Sequence, residues 1–148
     1  MKVLLQRVSR AAVEVGGATT GKIGHGLLVF VGVEQADGQA QADWLVDKTV
    51  GLRIFPDEEK AMNRSLLDVG GEILIVSQFT LAADTSRGNR PGFSSAAAPA
   101  EGERLYEFFV KCLRSEGVKV ATGRFGADMA VELVNEGPTT VWMDTKST

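Results

Sequence analysis

Seven consecutive residues without a polar side chain, Leu27 to Val33 (LLVFVGV), constrain this chain more than any other feature. A strand with one face in water alternates apolar and polar residues, whereas an unbroken apolar run is expected of a strand covered on both faces. A second run of this kind, Glu72–Gln78 (EILIVSQ), lies after a stretch of helical periodicity. The chain must therefore supply a sheet with cover on both sides. Neither run approaches the roughly 20 apolar residues of a membrane span. The opening MKVLLQRVSR meets Gln6, Arg7 and Arg10 too early for a signal peptide, so a soluble cytoplasmic protein is expected.

The remaining elements follow from periodicity. Val3, Leu5, Val13 and Val15 alternate with polar neighbours on either side of Ser9-Arg10. Asp37 is placed to cap a helix from about Gln39 to Leu52. Its stripe of Ala42, Leu45, Val46, Thr49, Val50 and Leu52 faces a core, with Trp44 on the opposite, exposed side. A second helix near Glu103–Ser115 buries Leu105, Phe108, Phe109, Cys112 and Leu113. Residues 82–100, rich in Ala, Ser, Gly and Pro, read as a long surface excursion. Two late strands, Asp128–Asn135 and Thr139–Asp144, flank Glu136-Gly137-Pro138, which reads as a turn. No linker or repeat divides the 148 residues. The expectation is one α+β domain spanning 1–148, mostly antiparallel sheet with two main helices.

Two scarcities narrow the chemistry. With one cysteine, Cys112, and one histidine, His25, a single subunit can form no disulfide and no Cys/His zinc cage. His25 sits between glycines in GKIGHGLL, a turn-like setting that positions a base poorly, and no metal or other cofactor is expected. Catalysis would have to use hydroxyls, amides, backbone groups or the substrate. A formal charge of −3 argues against gripping long nucleic acid through counterion release. Arg87 and Arg90, in TSRGNRPGF, make a stretch with two arginines and no acid between them, and read as a solvated loop. No broad basic face or interleaved aromatics mark a nucleic-acid-binding module.

Three segments stand out. Ser77-Gln78-Phe79-Thr80 ends a buried strand, where two hydroxyls and an amide either face a cleft or satisfy nearby backbone. A Ser or Thr nucleophile needs an adjacent base, and none is visible. Thr122–Met129 is a glycine-punctuated bend, and Asn135–Thr140 carries the Gly-Pro pair.

Taken together, SQFTLAAD (Ser77–Asp84), RPGFS (Arg90–Ser95), TGRFGADM (Thr122–Met129) and NEGPTT (Asn135–Thr140) resemble the D-aminoacyl-tRNA deacylases. QRV (Gln6–Val8) and the GLLVFVGV run match too, so the resemblance covers essentially the whole chain. Gly92 stands where bulkier or hydroxyl residues also occur in that family, a harmless departure. The resemblance implies a barrel-like sheet, a homodimer, and hydrolysis of the ester joining a D-amino acid to the 3′-terminal adenosine of tRNA. Glycine mischarged on tRNA(Ala) is implied as a further substrate. It assigns Ser77, Gln78, Phe79 and Thr80 to the catalytic pocket, and Gly137, Pro138, Arg7 and Met129 to substrate binding. Gly137-Pro138, cis in the family, would reach into the partner's pocket and deny space to an L side chain, with Arg7 bracing it.

The implied mechanism is positioning and electrostatic stabilisation, with the tRNA 2′-hydroxyl helping to activate water. The partner is a tRNA acceptor end, with no membrane and no DNA expected. Two other classes stay open: a non-enzymatic nucleic-acid-binding module on the same fold, and a small-ester hydrolase with Ser77 or Thr80 as nucleophile.

Overall fold

Two long strands, β1 (Lys2–Val15) and β6 (Ala130–Asp144), lie antiparallel along each other in this computed structural model, which describes residues 1–147. On its other side β1 pairs antiparallel with β2 (Ala18–Ile23) through its second half and with β3 (Gly26–Gly32) through its first. From β3 onward the sheet turns parallel, through β4 (Glu72–Ser77) to β5 (Lys119–Thr122). The sheet is mixed and, as expected, mostly antiparallel, with three antiparallel pairings against two parallel ones. Parallel neighbours need crossovers, and these carry α1 (Gln39–Gly51), the short α2 (Leu66–Val69) and α3 (Pro99–Ser115). The sheet curls until β2 nearly meets β5. At Gly21 a Cβ would stand 2.4 Å from the Thr122 carbonyl oxygen, so only glycine permits that approach.

The curl explains the apolar runs. Leu27, Val29 and Val31 of β3 pack with Leu45 of α1 and Phe109 of α3, while Leu28 joins Val8, Val13, Leu74 and Val76 in a second cluster drawn wholly from strands. With both faces of β3 covered, no polar position remains along it. No described helix is long and apolar enough to cross a membrane.

Several local expectations are corrected. Asp37 does not cap α1: its carboxylate accepts from the Met1 amino group at 2.8 Å and from the Glu34 N–H at 2.7 Å. Gly38 is the cap residue, its N–H donating to Gln41 Oε1 at 2.8 Å. Trp44 is half-buried against the core, with Lys48 Nζ 5.4 Å from its ring centre. α3 begins at Pro99, where a missing N–H costs nothing. Tyr106 and Val110 join its buried stripe, while Phe108 and Cys112 lie at the edge. Cys112 is half-buried with Sγ 3.8 Å from Asp43 Oδ1, and burial followed by that carboxylate pushes the thiol up and keeps it protonated. α2 was not expected; Ser65 and Asp68 cap it reciprocally.

The expected turn at Glu136–Pro138 is not a hairpin. Both flanks pair with the same strand, Gln6 opposite Thr140 and Val8 opposite Asn135, so residues 136–139 swell out of one continuous ladder opposite Arg7.

Candidate active site

β4 is buried along its length and surfaces at Ser77, after which a 3₁₀ turn, Phe79–Ala82, carries the chain away. A cleft of about 490 Å³ opens at that strand end. Ser77, Gln78 and Phe79 form one wall, Phe125 to Met129 another, and Pro99 with Gly102 at the start of α3 a third. The Gly123 N–H donates to the Ile75 carbonyl at 3.0 Å, which ties the glycine-punctuated bend to β4 and brings two motifs 45 residues apart into one cavity. Thr80 does not line the cleft; it is exposed beside it, its Oγ1 accepting from Gln78 Nε2.

Behind the cleft, Tyr106 lies against Phe125 with ring centres 5.8 Å apart, and its hydroxyl donates to the Ile75 carbonyl at 3.1 Å. Burial pushes the Tyr106 phenol up to about 12, so it stays a neutral donor that pins α3 to β4. Asp128, exposed at the rim, is the one ionisable side chain among the described lining residues. Neither Ser77 nor Thr80 is hydrogen-bonded to a base among the described residues. In this geometry neither hydroxyl has, among the described residues, the adjacent base that would activate a nucleophile.

The Gly-Pro segment is built differently. Arg7, only 8% exposed, donates from Nε to the Glu136 carbonyl at 2.9 Å and from Nη1 to the Ile54 carbonyl. Asn135 Oδ1 accepts the Thr139 N–H at 2.8 Å, while its Nδ2 donates to Gln6 Oε1 at 2.8 Å and to the Thr139 carbonyl at 3.1 Å. The Gly137-Pro138 peptide bond is cis, and Gly137 has φ +139, where a Cβ would meet Thr139 Oγ1 at 2.6 Å. His25 sits, as expected, in the bend between β2 and β3, and it has neighbours there. Its Nε2 is 3.5 Å from Glu136 Oε1, and its ring stands edge-on to Phe55 at 5.3 Å.

The residues singled out in the sequence therefore fall in two places. Ser77, Gln78, Phe79 and Met129 line the cleft, whereas Arg7, Gly137 and Pro138 do not. Sequence reasoning missed Phe125 and Asp128 as individual wall residues, and Asn135 as a clamp; the last was legible in principle, since Asn readily bonds backbone a few residues on.

A family profile described as D-Tyr-tRNA(Tyr) deacylase matches residues 4–144. A protein named D-aminoacyl-tRNA deacylase from Ruegeria pomeroyi is 63% identical over 144 residues, covering 97% of this chain and 99% of its own. Another of that name from Erwinia tasmaniensis is 54% identical over 143 residues, with the same coverage of 97% and 99%. Among solved structures, one described as c-Myc DNA Unwinding Element Binding Protein superposes with a TM-score of 0.92 at 38% identity, covering 98% of this chain and 99% of that one. A second, described as a probable eukaryotic D-amino acid tRNA deacylase, has a TM-score of 0.80 at 19% identity over 96% and 97% of the two chains, which speaks for the fold alone. With a profile match from residue 4 to residue 144 and relatives this similar end to end, the chain belongs to the D-Tyr-tRNA(Tyr) deacylase family.

Proposed function

We propose that this chain is a D-aminoacyl-tRNA deacylase, hydrolysing the ester between a D-amino acid, or glycine carried on tRNA(Ala), and the 3′-terminal adenosine. The observation that carries the reading is the cleft at the end of β4, where the family's SQFT-like and GRFGADM-like segments meet. It offers apolar walls for a base and an amide and hydroxyl for a ribose and ester. Because charging of tRNA is a cytoplasmic reaction, the cytoplasm is the expected compartment.

The active unit is a homodimer in this reading. Gly137-Pro138 is held by Arg7 and Asn135 outside its own chain's cleft, so a two-fold axis is the economical way to bring one subunit's segment to the other's cleft. There its carbonyls would accept hydrogen bonds from the substrate ammonium, and its main chain would fill the space an L side chain needs. Water adds to the ester carbonyl, and the tetrahedral intermediate expels the ribose 3′-oxygen. The protein holds this geometry, and the neighbouring 2′-hydroxyl assists the water.

The name of the structure at 38% identity favours a second reading, a nucleic-acid-binding protein without this activity. One experiment separates them. D-alanyl-, L-alanyl- and glycyl-tRNA are incubated with the protein; loss of the D and glycyl esters with the L ester intact is expected. Equal loss of the L ester would sink the exclusion mechanism, and tRNA binding without any deacylation would favour the second reading.

A further inference from the structure

We propose that the Phe79–Phe93 pair and the arginine loop beside it form a landing surface for the single-stranded nucleotides preceding the terminal adenosine of an RNA 3′ end. This rests on the deacylase reading in one respect: it takes the terminal nucleoside to occupy the cleft that Phe79 lines.

Phe79 is 57% exposed at the cleft mouth, and it is not a loose side chain. Phe93 meets it edge-on, ring centres 5.1 Å apart at 67°, so an apolar ring is held out toward solvent by another aromatic. The chain between them forms a loop closed by paired backbone bonds, Asp84 N–H to Gly92 O at 2.8 Å and Gly92 N–H to Asp84 O at 2.9 Å. Phe93 is the next residue after that bridge.

The loop's tip carries Arg87 and Arg90, both exposed and both without a hydrogen bond or ion pair among the described residues. Four other surface arginines are engaged: Arg10 with Glu132, Arg104 with Glu101, Arg53 with Asn63 and Arg64 with the Asp68 carbonyl. Arg114 and Arg124 are also exposed and without such a partner among the described residues, but each stands singly in the sequence, whereas Arg87 and Arg90 share one loop that leads directly into Phe93. The loop's one carboxylate, Asp84, is held below the usual carboxylate range by the Ser86 side chain and then by the Ser86 N–H, which it accepts at 2.9 Å, so it is committed to the loop itself. Two unspent guanidinium groups in a chain of charge −3, next to an upheld aromatic face, are complementary to one kind of ligand. Single-stranded RNA offers unstacked bases to the ring and phosphates to the arginines.

The test uses the full dimeric protein and two RNA hairpins, one ending in single-stranded ACCA-3′ and one blunt. Phe93→Leu keeps bulk and removes the π-face; Arg87→Ala/Arg90→Ala removes the cations. Each should lower the tailed-over-blunt affinity ratio about tenfold. The arginine variant should also flatten the dependence of log K on log salt by about 1.4, two contacts at about 0.7 each. Hydrolysis of the bare nucleoside ester, D-aminoacyl-adenosine, should be unchanged. An unchanged ratio in both variants overturns the proposal. So does a variant that becomes monomeric or loses nucleoside-ester hydrolysis, which would assign the patch to the subunit contact or to the cleft. Wild-type protein that leaves every D-aminoacyl ester intact would defeat the deacylase reading; tail-dependent binding that still falls in both variants would then uphold the surface by itself.

Discussion

The cleft and the Gly137-Pro138 segment are built by opposite means. At the cleft, a buried strand runs out and leaves hydroxyl, amide and aromatic groups facing open space, with one internal side-chain bond, Gln78 to Thr80. Around Gly137-Pro138, side chains from elsewhere clamp the backbone: Arg7 on the Glu136 carbonyl and Asn135 on both the N–H and the carbonyl of Thr139. A surface that binds must keep its polar groups unspent, whereas a surface that excludes must not yield. In the proposed reading the two regions divide those duties, and within one chain Gly137 and Pro138 do not line the cleft.

The comparison breaks most visibly at Gly137. A methyl there would meet Thr139 Oγ1 at 2.6 Å and Arg7 Nη2 at 3.0 Å in a backbone conformation that L residues rarely adopt. Gly137→Ala should slow D-alanyl-tRNA deacylation by about a hundredfold, the usual consequence of displacing a positioning group by an ångström. A near-normal rate would mean the segment does not set the site. Arg7→Ala removes the donors to two carbonyls, Glu136 and Ile54, at a buried position, and should cost about 2–4 kcal/mol in urea unfolding as well as activity. Arg7→Lys should recover only part, because a single ammonium lacks the planar fork that spans both acceptors.

Changes in the cleft should be milder. Ser77→Ala and Thr80→Ala should each retain activity within about tenfold, since neither hydroxyl has a base to activate it. Substrate ending in 2′-deoxyadenosine should be hydrolysed far more slowly than the ribose form. A dead Thr80→Ala enzyme that turns over the deoxy substrate normally would make Thr80 the nucleophile.

How much of this was legible beforehand depended on whether the cause was local. β3 and β4 were readable because burial on both faces leaves no polar position, as at Leu27 to Val31. Asp37 reads as the cap of α1 by position, yet it is claimed by the Met1 amino group, a partner 36 residues away. The site's motifs were visible one by one, yet nothing in them says that the bend at Gly123 docks on Ile75, or that Gly137-Pro138 interrupts a strand pairing at both ends with β1. Those facts are made by tertiary contacts that periodicity does not encode.

The smallest expected effect lies at Glu34, next in sequence to the cleft residue Val33 but not itself part of the lining. Glu34 is buried, which alone would raise its pKa, but the hydrogen bond and charge of Lys2 outweigh burial and hold it below its ordinary 4.5. A carboxylate lowered on folding contributes stability above about pH 4.5 that is lost as pH falls through the folded value. Glu34→Gln should therefore flatten the acid limb of the stability curve and leave D-alanyl-tRNA deacylation at neutral pH unchanged. An acid limb as steep as in the parent would place the protonating group elsewhere.

The most direct measurement of the central claim is complementation between subunits. Gly137→Ala damages the excluding segment, and Ala127→Trp fills the cleft from its wall. Each homodimer should be nearly inactive on D-alanyl-tRNA. A heterodimer purified with one chain of each kind retains one undamaged cleft facing one undamaged segment if the site spans the two-fold axis, and should show about half the parental activity. A heterodimer no more active than its two inactive parents would place cleft and segment in the same chain's site and contradict the account.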